Sequence, residues 1–188
     1  MIRVLGLGNV LMSDDGFGPF VVRVLEATYE CPQGVEFVDA GTPGLDLTPF
    51  LLDTDAVVFV DTVTSRGVPG EIRVYDKAAI LKVPPQARTG GHDPALKEAL
   101  LTVAAAGKGP SHVTLVGGIP EWIATGVVLS PRLEAAVGPA VLAVVEALAA
   151  LGVRLERRRH PATPHIWWAD SPDVDALPGL ALESPLAS

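Results

Sequence analysis

Ile2-Arg3-Val4-Leu5-Gly6-Leu7-Gly8-Asn9-Val10-Leu11-Met12-Ser13-Asp14-Asp15-Gly16-Phe17-Gly18 opens the chain and decides how the rest is read. Residues 2–7 form a short apolar run with one charge, ending at Gly6 and Gly8, which is the pattern of a buried strand. From Gly16 to Tyr29 the period changes. Phe17, Phe20, Val21, Val24 and Leu25 recur at helical spacing, and Asp14 and Asp15 stand where an N-cap belongs. Pro19 falls in the first turn, where its missing N–H is tolerated. A strand passing through a glycine-rich turn into a helix is the first half of a βαβ unit.

The pattern continues downstream. Val35 to Val38 reads as a second strand, closed by Asp39-Ala40-Gly41, and Leu45 to Leu52 as a shorter helix containing Pro49. Ala56-Val57-Val58-Phe59-Val60 is the plainest buried parallel strand, with Asp61 directly after it. Val68-Pro69-Gly70 turns the chain, and Glu71 to Tyr75 alternates polar and apolar as an antiparallel edge strand should. Thr89-Gly90-Gly91 leads to His92. Asp93-Pro94 then opens a helix as N-cap and N1, with Leu96, Leu100 and Val103 as its buried stripe. His112 to Val116 is a last core strand, and Ser130-Pro131 starts a helix that reaches Leu151 and stops at Gly152. These elements predict an α/β fold: a three-layer α/β/α sandwich with a mostly parallel twisted sheet of about five strands and one antiparallel edge strand. Residues 1–152 are expected to form one domain. Residues 153–188 change texture, with Arg157-Arg158-Arg159 followed by Pro161, Pro164, Pro172, Pro178 and Pro185, and read as a proline-rich tail. Trp167-Trp168 within it reads as part of a loosely packed strap without assigned function.

Composition narrows the function. A chain of 188 residues buries roughly 70% of its unfolded surface and needs no staple. Cys31 is the single cysteine, which excludes an internal disulfide and a multi-cysteine zinc site and suits a cytoplasmic setting. A formal charge of −8 argues against a duplex nucleic-acid reader. The richest apolar stretch is interrupted by Gly138-Pro139, so no membrane insertion is expected, and with a strand-like run at Ile2 no signal peptide is expected either.

Asp15, Asp61 and His92 each follow a predicted strand. Ligands of open α/β sheets bind outside the carboxyl ends of the strands, so the three could share one rim. Two carboxylates and an imidazole suit a borderline divalent metal such as nickel or zinc, with positions left open for substrate or water. Each residue also has a plainer role. Asp14 or Asp15 could cap the helix, Asp61 could accept a backbone N–H of the following turn, and His92 could sit in solvent before its helix. The residues taken singly leave both readings open.

The combination of motifs resolves them. Gly-x-Gly-Asn-x-Leu-x-x-Asp-Asp-Gly-x-Gly at the N-terminus resembles the signature of the [NiFe]-hydrogenase maturation proteases. The resemblance runs on through Asp39-Ala40-Gly41-Thr42-Pro43-Gly44-Leu45, Val60-Asp61-Thr62-Val63, Pro69-Gly70-Glu71-Ile72, His92, Val116-Gly117-Gly118-Ile119-Pro120-Glu121 and the Ser130-Pro131 helix, in order over residues 1–151. It implies an endopeptidase that removes the C-terminal extension of a nickel-loaded [NiFe]-hydrogenase large-subunit precursor. It implies Asp15, Asp61 and His92 as the nickel-interacting and catalytic triad, with Asp39, Gly41 and Thr42 helping to recognise the precursor. The nickel would arrive with the substrate and bind the isolated protease weakly or not at all. The protease would act as a cytoplasmic monomer without a serine or cysteine nucleophile. This chain agrees in lacking a Gly-x-Ser-x-Gly elbow and a His-Glu-x-x-His helix. Some branches of the family carry Glu where this chain has Asp15, and the segment after Gly152 exceeds the family core.

Three rival readings compete. A dinucleotide-binding domain also starts strand, Gly-x-Gly, helix, but its third glycine is Leu11 here, and Asp14 and Asp15 would meet the pyrophosphate with negative charge. A non-catalytic nickel-dependent maturation chaperone would use the same residues. A peptidase of the spore-germination type would share the fold but is disfavoured by His92 and the Asp39 motif.

Overall fold

The computed structural model describes residues 1–43, 47–82 and 93–180. His92, Gly44 and Leu45, with the loop before His92, lie outside them. Five strands form one sheet in the order β2-β1-β3-β5-β4: β1 Ile2–Leu7, β2 Val35–Gly41, β3 Ala56–Thr62, β4 Ile72–Asp76 and β5 His112–Gly118. The first, second, third and fifth strands run parallel, and β4 lies antiparallel on the edge beside β5. The α/β sandwich with one antiparallel edge strand is therefore the observed fold.

Helices cover both faces because the inner strands are apolar on both. Val4, Val58, Val60 and Val116 pack toward α1 (Phe17–Thr28) and α6 (Val137–Ala150). Leu5, Leu7, Val57, Phe59, Val113 and Leu115 pack toward α2 (Thr48–Leu51), α3 (Lys77–Lys82) and α4 (Asp93–Ala105). Successive side chains of a strand point to opposite faces, so an unbroken apolar run fills both layers at once. The predicted stripes hold: Phe17, Phe20, Val21, Val24 and Leu25 are buried on α1, and Leu100 and Val103 on α4 with Leu96 packed beside them.

Several boundaries differ from the sequence reading. The helix expected from Ser130 to Leu151 is two helices, α5 Pro131–Ala135 and α6, joined at Ala136. Ser130 caps the first, accepting the Leu133 N–H at 3.3 Å. Helix α2 is a single turn with Pro49 near its start, and α3 has no counterpart among the predicted elements.

Glycine sets how closely α1 approaches the sheet. A Cβ on Gly18 would lie 2.2 Å from the Leu7 carbonyl oxygen and 2.3 Å from that of Val60, and backbone has little freedom to retreat. Gly18→Ala is therefore expected to lift the start of α1 off β1 and β3 and cost about 3 kcal/mol. Urea denaturation at constant m-value measures this, and an unchanged midpoint would contradict the packing argument.

The segment after α6 is laid along the body. Arg158 N–H donates to the Thr28 carbonyl at 2.9 Å and Ala162 N–H to that of Ala27 at 3.0 Å, which ties the strap to the end of α1. Leu155, Ile166, Trp168, Val174, Leu177 and Leu180 enter the same apolar cluster as α1 and α6. The strap crosses α6 at Gly138, where a Cβ would meet the Pro178 carbonyl oxygen at 1.8 Å. Irregular backbone buries apolar side chains without a fixed period, so hydrophobic periodicity does not reveal this packing.

Among the described residues, no helix is long and apolar enough to cross a membrane.

Candidate functional site

The carboxyl ends of β1, β2 and β3 lie side by side. Gly6 is in register with Asp39 on β2 and with Val60 on β3, which places Asp39 and Asp61 at one edge of the sheet on either side of β1. The chain leaves β1 toward β2 on one side and leaves β3 toward β4 and β5 on the other, so the carboxyl ends of β1 and β3 flank the topological switch point where α/β folds open a crevice.

Asp15 belongs to a 3-10 turn, Ser13–Gly16, between β1 and α1. That turn packs against β3, the strand that carries Asp61. The Asp15 carboxylate accepts the Asn9 N–H at 2.9 Å, which folds the Gly8–Met12 loop back over it. Asn9 reinforces the loop, its side-chain oxygen accepting Leu11 N–H at 3.0 Å and its carbonyl accepting Met12 N–H at 3.0 Å. Gly8 stands at φ +132°, and a Cβ there would lie 1.7 Å from the Asp15 carbonyl oxygen, so only glycine permits this loop.

Asp61 is half-buried at the end of β3 and shares a face with Phe59 and Val63, on the side of the sheet covered by α2 and α4. Its Oδ1 accepts the Thr62 N–H at 2.7 Å, among its other interactions. A carboxylate placed at a strand end by an apolar run is held there cheaply only with such donors.

Asp39 lies toward the α1 side. Its Oδ2 accepts from Arg23 of α1 at 3.3 Å and its Oδ1 from Gly41 N–H at 3.1 Å. The register of β1 on β2 slips by one residue after this pair, Gly6 facing Asp39 and Leu7 facing Gly41. Ala40 is the extra residue of the bulge, a device that re-aims a strand end beside a site. Gly8 N–H then reaches the Gly41 carbonyl at 2.8 Å and closes the two loops on each other. A cleft of about 370 Å³ opens between them, lined by Gly8–Leu11, Asp39–Thr42 and Trp167. Asp15 borders it through Asn9; among the described residues, neither Asp15 nor Asp61 is part of its lining.

The structure thus brings Asp15, Asp39, Gly41 and Thr42 to one rim with Asp61 one strand away. His92 lies outside the described residues, and α4 opens at the next residue, Asp93. Among the described residues, no group of three His, Cys, Asp or Glu comes together as a metal site.

Two assignments change. Neither Asp14 nor Asp15 caps α1, whose N-cap is Gly16 without a side-chain bond. Asp14 is fully buried and serves instead as a staple between distant loops. Its carboxylate accepts Glu121 N–H (2.8 Å), Trp122 N–H (3.1 Å), Ser130 N–H (2.6 Å) and the Ser130 hydroxyl (2.9 Å). The second change is in the strap, expected to pack loosely, which enters the apolar cluster and brings Trp167 to the lining of the cleft. Arg23 had no sequence signal either, because an arginine on α1 reveals its partner only when β2 lies beneath it.

Cys31 is distant from this rim. It follows α1 at the opposite end of β2, where its thiol donates to the Val35 carbonyl at 3.2 Å. Burial pushes the thiol pKa up, which disfavours the thiolate a cysteine nucleophile needs.

The hydrogenase maturation protease family model matches residues 19–147. The hydrogenase 2 maturation protease of Escherichia coli (strain K12) is 32% identical over 153 residues, which cover 81% of this chain and 93% of that protein. Among solved structures, the hydrogenase maturating endopeptidase HybD from E. coli superposes with a TM-score of 0.78 at 32% identity, covering 84% of this chain and 97% of its own. The hydrogenase 2 maturation peptidase from the Thaumarchaeota archaeon SCGC_AB-539-E09 does so with a TM-score of 0.61 at 36% identity, covering 79% and 97%. With fold and sequence in agreement, this chain belongs to the hydrogenase maturation proteases and is an endopeptidase, a hydrolase of peptide bonds.

Proposed function

We propose that this endopeptidase removes the C-terminal extension of a [NiFe]-hydrogenase large-subunit precursor, and does so only after nickel has been inserted. The observation that carries this reading is the packing of the Asp15 turn against β3, the strand that ends in Asp61, at the switch point of a family-matched fold. Asp15, Asp61 and His92 recognise the nickel of the substrate, and Asp39, Gly41 and Thr42 hold the adjoining peptide. The metal is substrate cargo and is not retained by the free protease. A divalent ion beside a scissile carbonyl polarises it and lowers the pKa of a bound water, and a carboxylate at hydrogen-bond distance accepts the water's proton. The hydroxide adds to the carbonyl carbon, the C–N bond breaks, and the proton passes to the leaving amine. Neither Ser nor Cys is required, in keeping with the remote position and raised pKa of Cys31. The enzyme works in the cytoplasm as a monomer and has no role on nucleic acid.

The test is incubation with nickel-loaded and with nickel-free precursor, followed by mass measurement. The loaded form is expected to lose its extension and the nickel-free form to stay intact. Equal cleavage of both would remove the metal from the recognition step. A loaded precursor that stays intact while bound would make the protein a chaperone.

A further inference from the structure

Trp167 stands 67% exposed between two anchored neighbours, Ile166 and Trp168, which are 7% and 8% exposed. Trp168 fills the cluster shared with α1 and α6 and meets the ring of Trp167 edge-on, with centroids 5.5 Å apart. The turn before them is pinned by Ile166 N–H on the Pro164 carbonyl at 2.9 Å and by the Ser171 hydroxyl on the same oxygen at 2.7 Å. The ring of Trp167 is therefore held outward by the packing of the residues on either side. It is presented to the cleft whose other walls are the Gly8–Leu11 loop and Asp39–Thr42. Leu11, on that loop, is also exposed. Two large, exposed apolar side chains thus line the same cleft of about 370 Å³ as the Asp39–Thr42 strand end. Trp167 lies outside residues 19–147, the part of the chain matched by the family model.

We infer that Trp167, delivered by the C-terminal strap, forms with Leu11 an apolar subsite that takes an apolar side chain of the precursor's peptide. The inference rests on the proteolytic reading above and adds a specificity determinant to it. A ring already fixed in place loses little freedom when a ligand covers it, and the water released from both apolar faces favours binding. Buried tryptophans supply an unusual share of binding energy at protein interfaces. A contact to a side chain that does not itself react is made in ground state and transition state alike, so its removal weakens binding without slowing chemistry.

The experiment compares wild type, Trp167→Ala and Trp167→Phe on a nickel-loaded [NiFe]-hydrogenase large-subunit precursor. It records kcat and KM for cleavage, the Kd for the same precursor, and the melting temperature of each variant. Trp167→Ala is expected to raise KM and Kd roughly tenfold with kcat unchanged, Trp167→Phe to stay within about threefold of wild type, and all three to melt together. Wild-type KM and Kd in Trp167→Ala overturn the subsite and leave the proteolytic reading standing, as does a loss confined to kcat. A wild type that binds the precursor without cutting it overturns the proteolytic reading, and the paired Kd values still decide the subsite.

Discussion

Asp61→Asn is expected to reduce precursor cleavage by about 10²–10⁴-fold, the range that a positioned acid–base group commands, while leaving the fold unaltered. The amide is nearly isosteric with the carboxylate and keeps an oxygen to accept the Thr62 N–H that Asp61 now holds at 2.7 Å. It loses the negative charge, and with it the capacity to ligate a cation strongly or to take a proton from water. Separating these effects is the point of choosing asparagine over alanine. Mass measurement of nickel-loaded precursor over time gives the rate, and a thermal melt gives the fold. Cleavage within a few-fold of wild type would remove Asp61 from the chemistry. A fall in melting temperature matching the fall in activity would make its role structural.

The opposite pattern is expected at the neighbouring acid of the same motif. Asp14→Ala should destabilise the protein by about 3–5 kcal/mol, the cost of breaking a buried charged network from one side. The carboxylate it removes is fully buried and is the acceptor for three backbone N–H groups, at Glu121, Trp122 and Ser130, and for the Ser130 hydroxyl. Alanine leaves those donors without water to replace the carboxylate. For a domain of this size the loss corresponds to a drop of about 6–20 °C in melting temperature. Asparagine should rescue little, because its NH₂ would point a donor at donors. A melt within 2 °C of wild type, a margin of about 1 kcal/mol, would show that the loops do not depend on Asp14. The adjacent pair Asp14-Asp15 thus divides its labour: one acid faces inward and holds the scaffold, the other sits at the rim.

That division is invisible in the sequence, and the reason is distance along the chain. The partners of Asp14 are 107 to 116 residues away. In sequence, two acids before a helix look like capping, because capping is the local interaction that such residues make. The structure puts both acids within a 3-10 turn that precedes the helix and gives the cap to Gly16. The break between α5 and α6, by contrast, has a local mark: Gly138-Pro139 would fall in the interior of a single helix from Pro131, whereas in α6 it lies in the first turn, where proline is tolerated.

The strand-ending acids were legible because their signal is local. Asp61 follows five apolar residues that can only be a buried strand in an α/β chain, so its place at the carboxyl edge follows from topology. Asp39 follows from the same reasoning on β2. Its pairing with Arg23 and the bulge at Ala40, however, belong to how α1 lies on the sheet.

Sequence alone determined the alternation of strands and helices, the antiparallel edge, the resemblance to the maturation proteases and the acids at the strand ends. Each of these is written in short-range periodicity or in a contiguous motif, and neither needs a distant partner. Tertiary structure decided which acid of the pair is buried, how closely α1 approaches β1 and β3 through Gly18, and that a proline-rich strap wraps the body to set Trp167 beside the cleft. Those outcomes depend on contacts between residues far apart in the chain, where the energy of burial and of satisfied donors is settled only once the layers have closed.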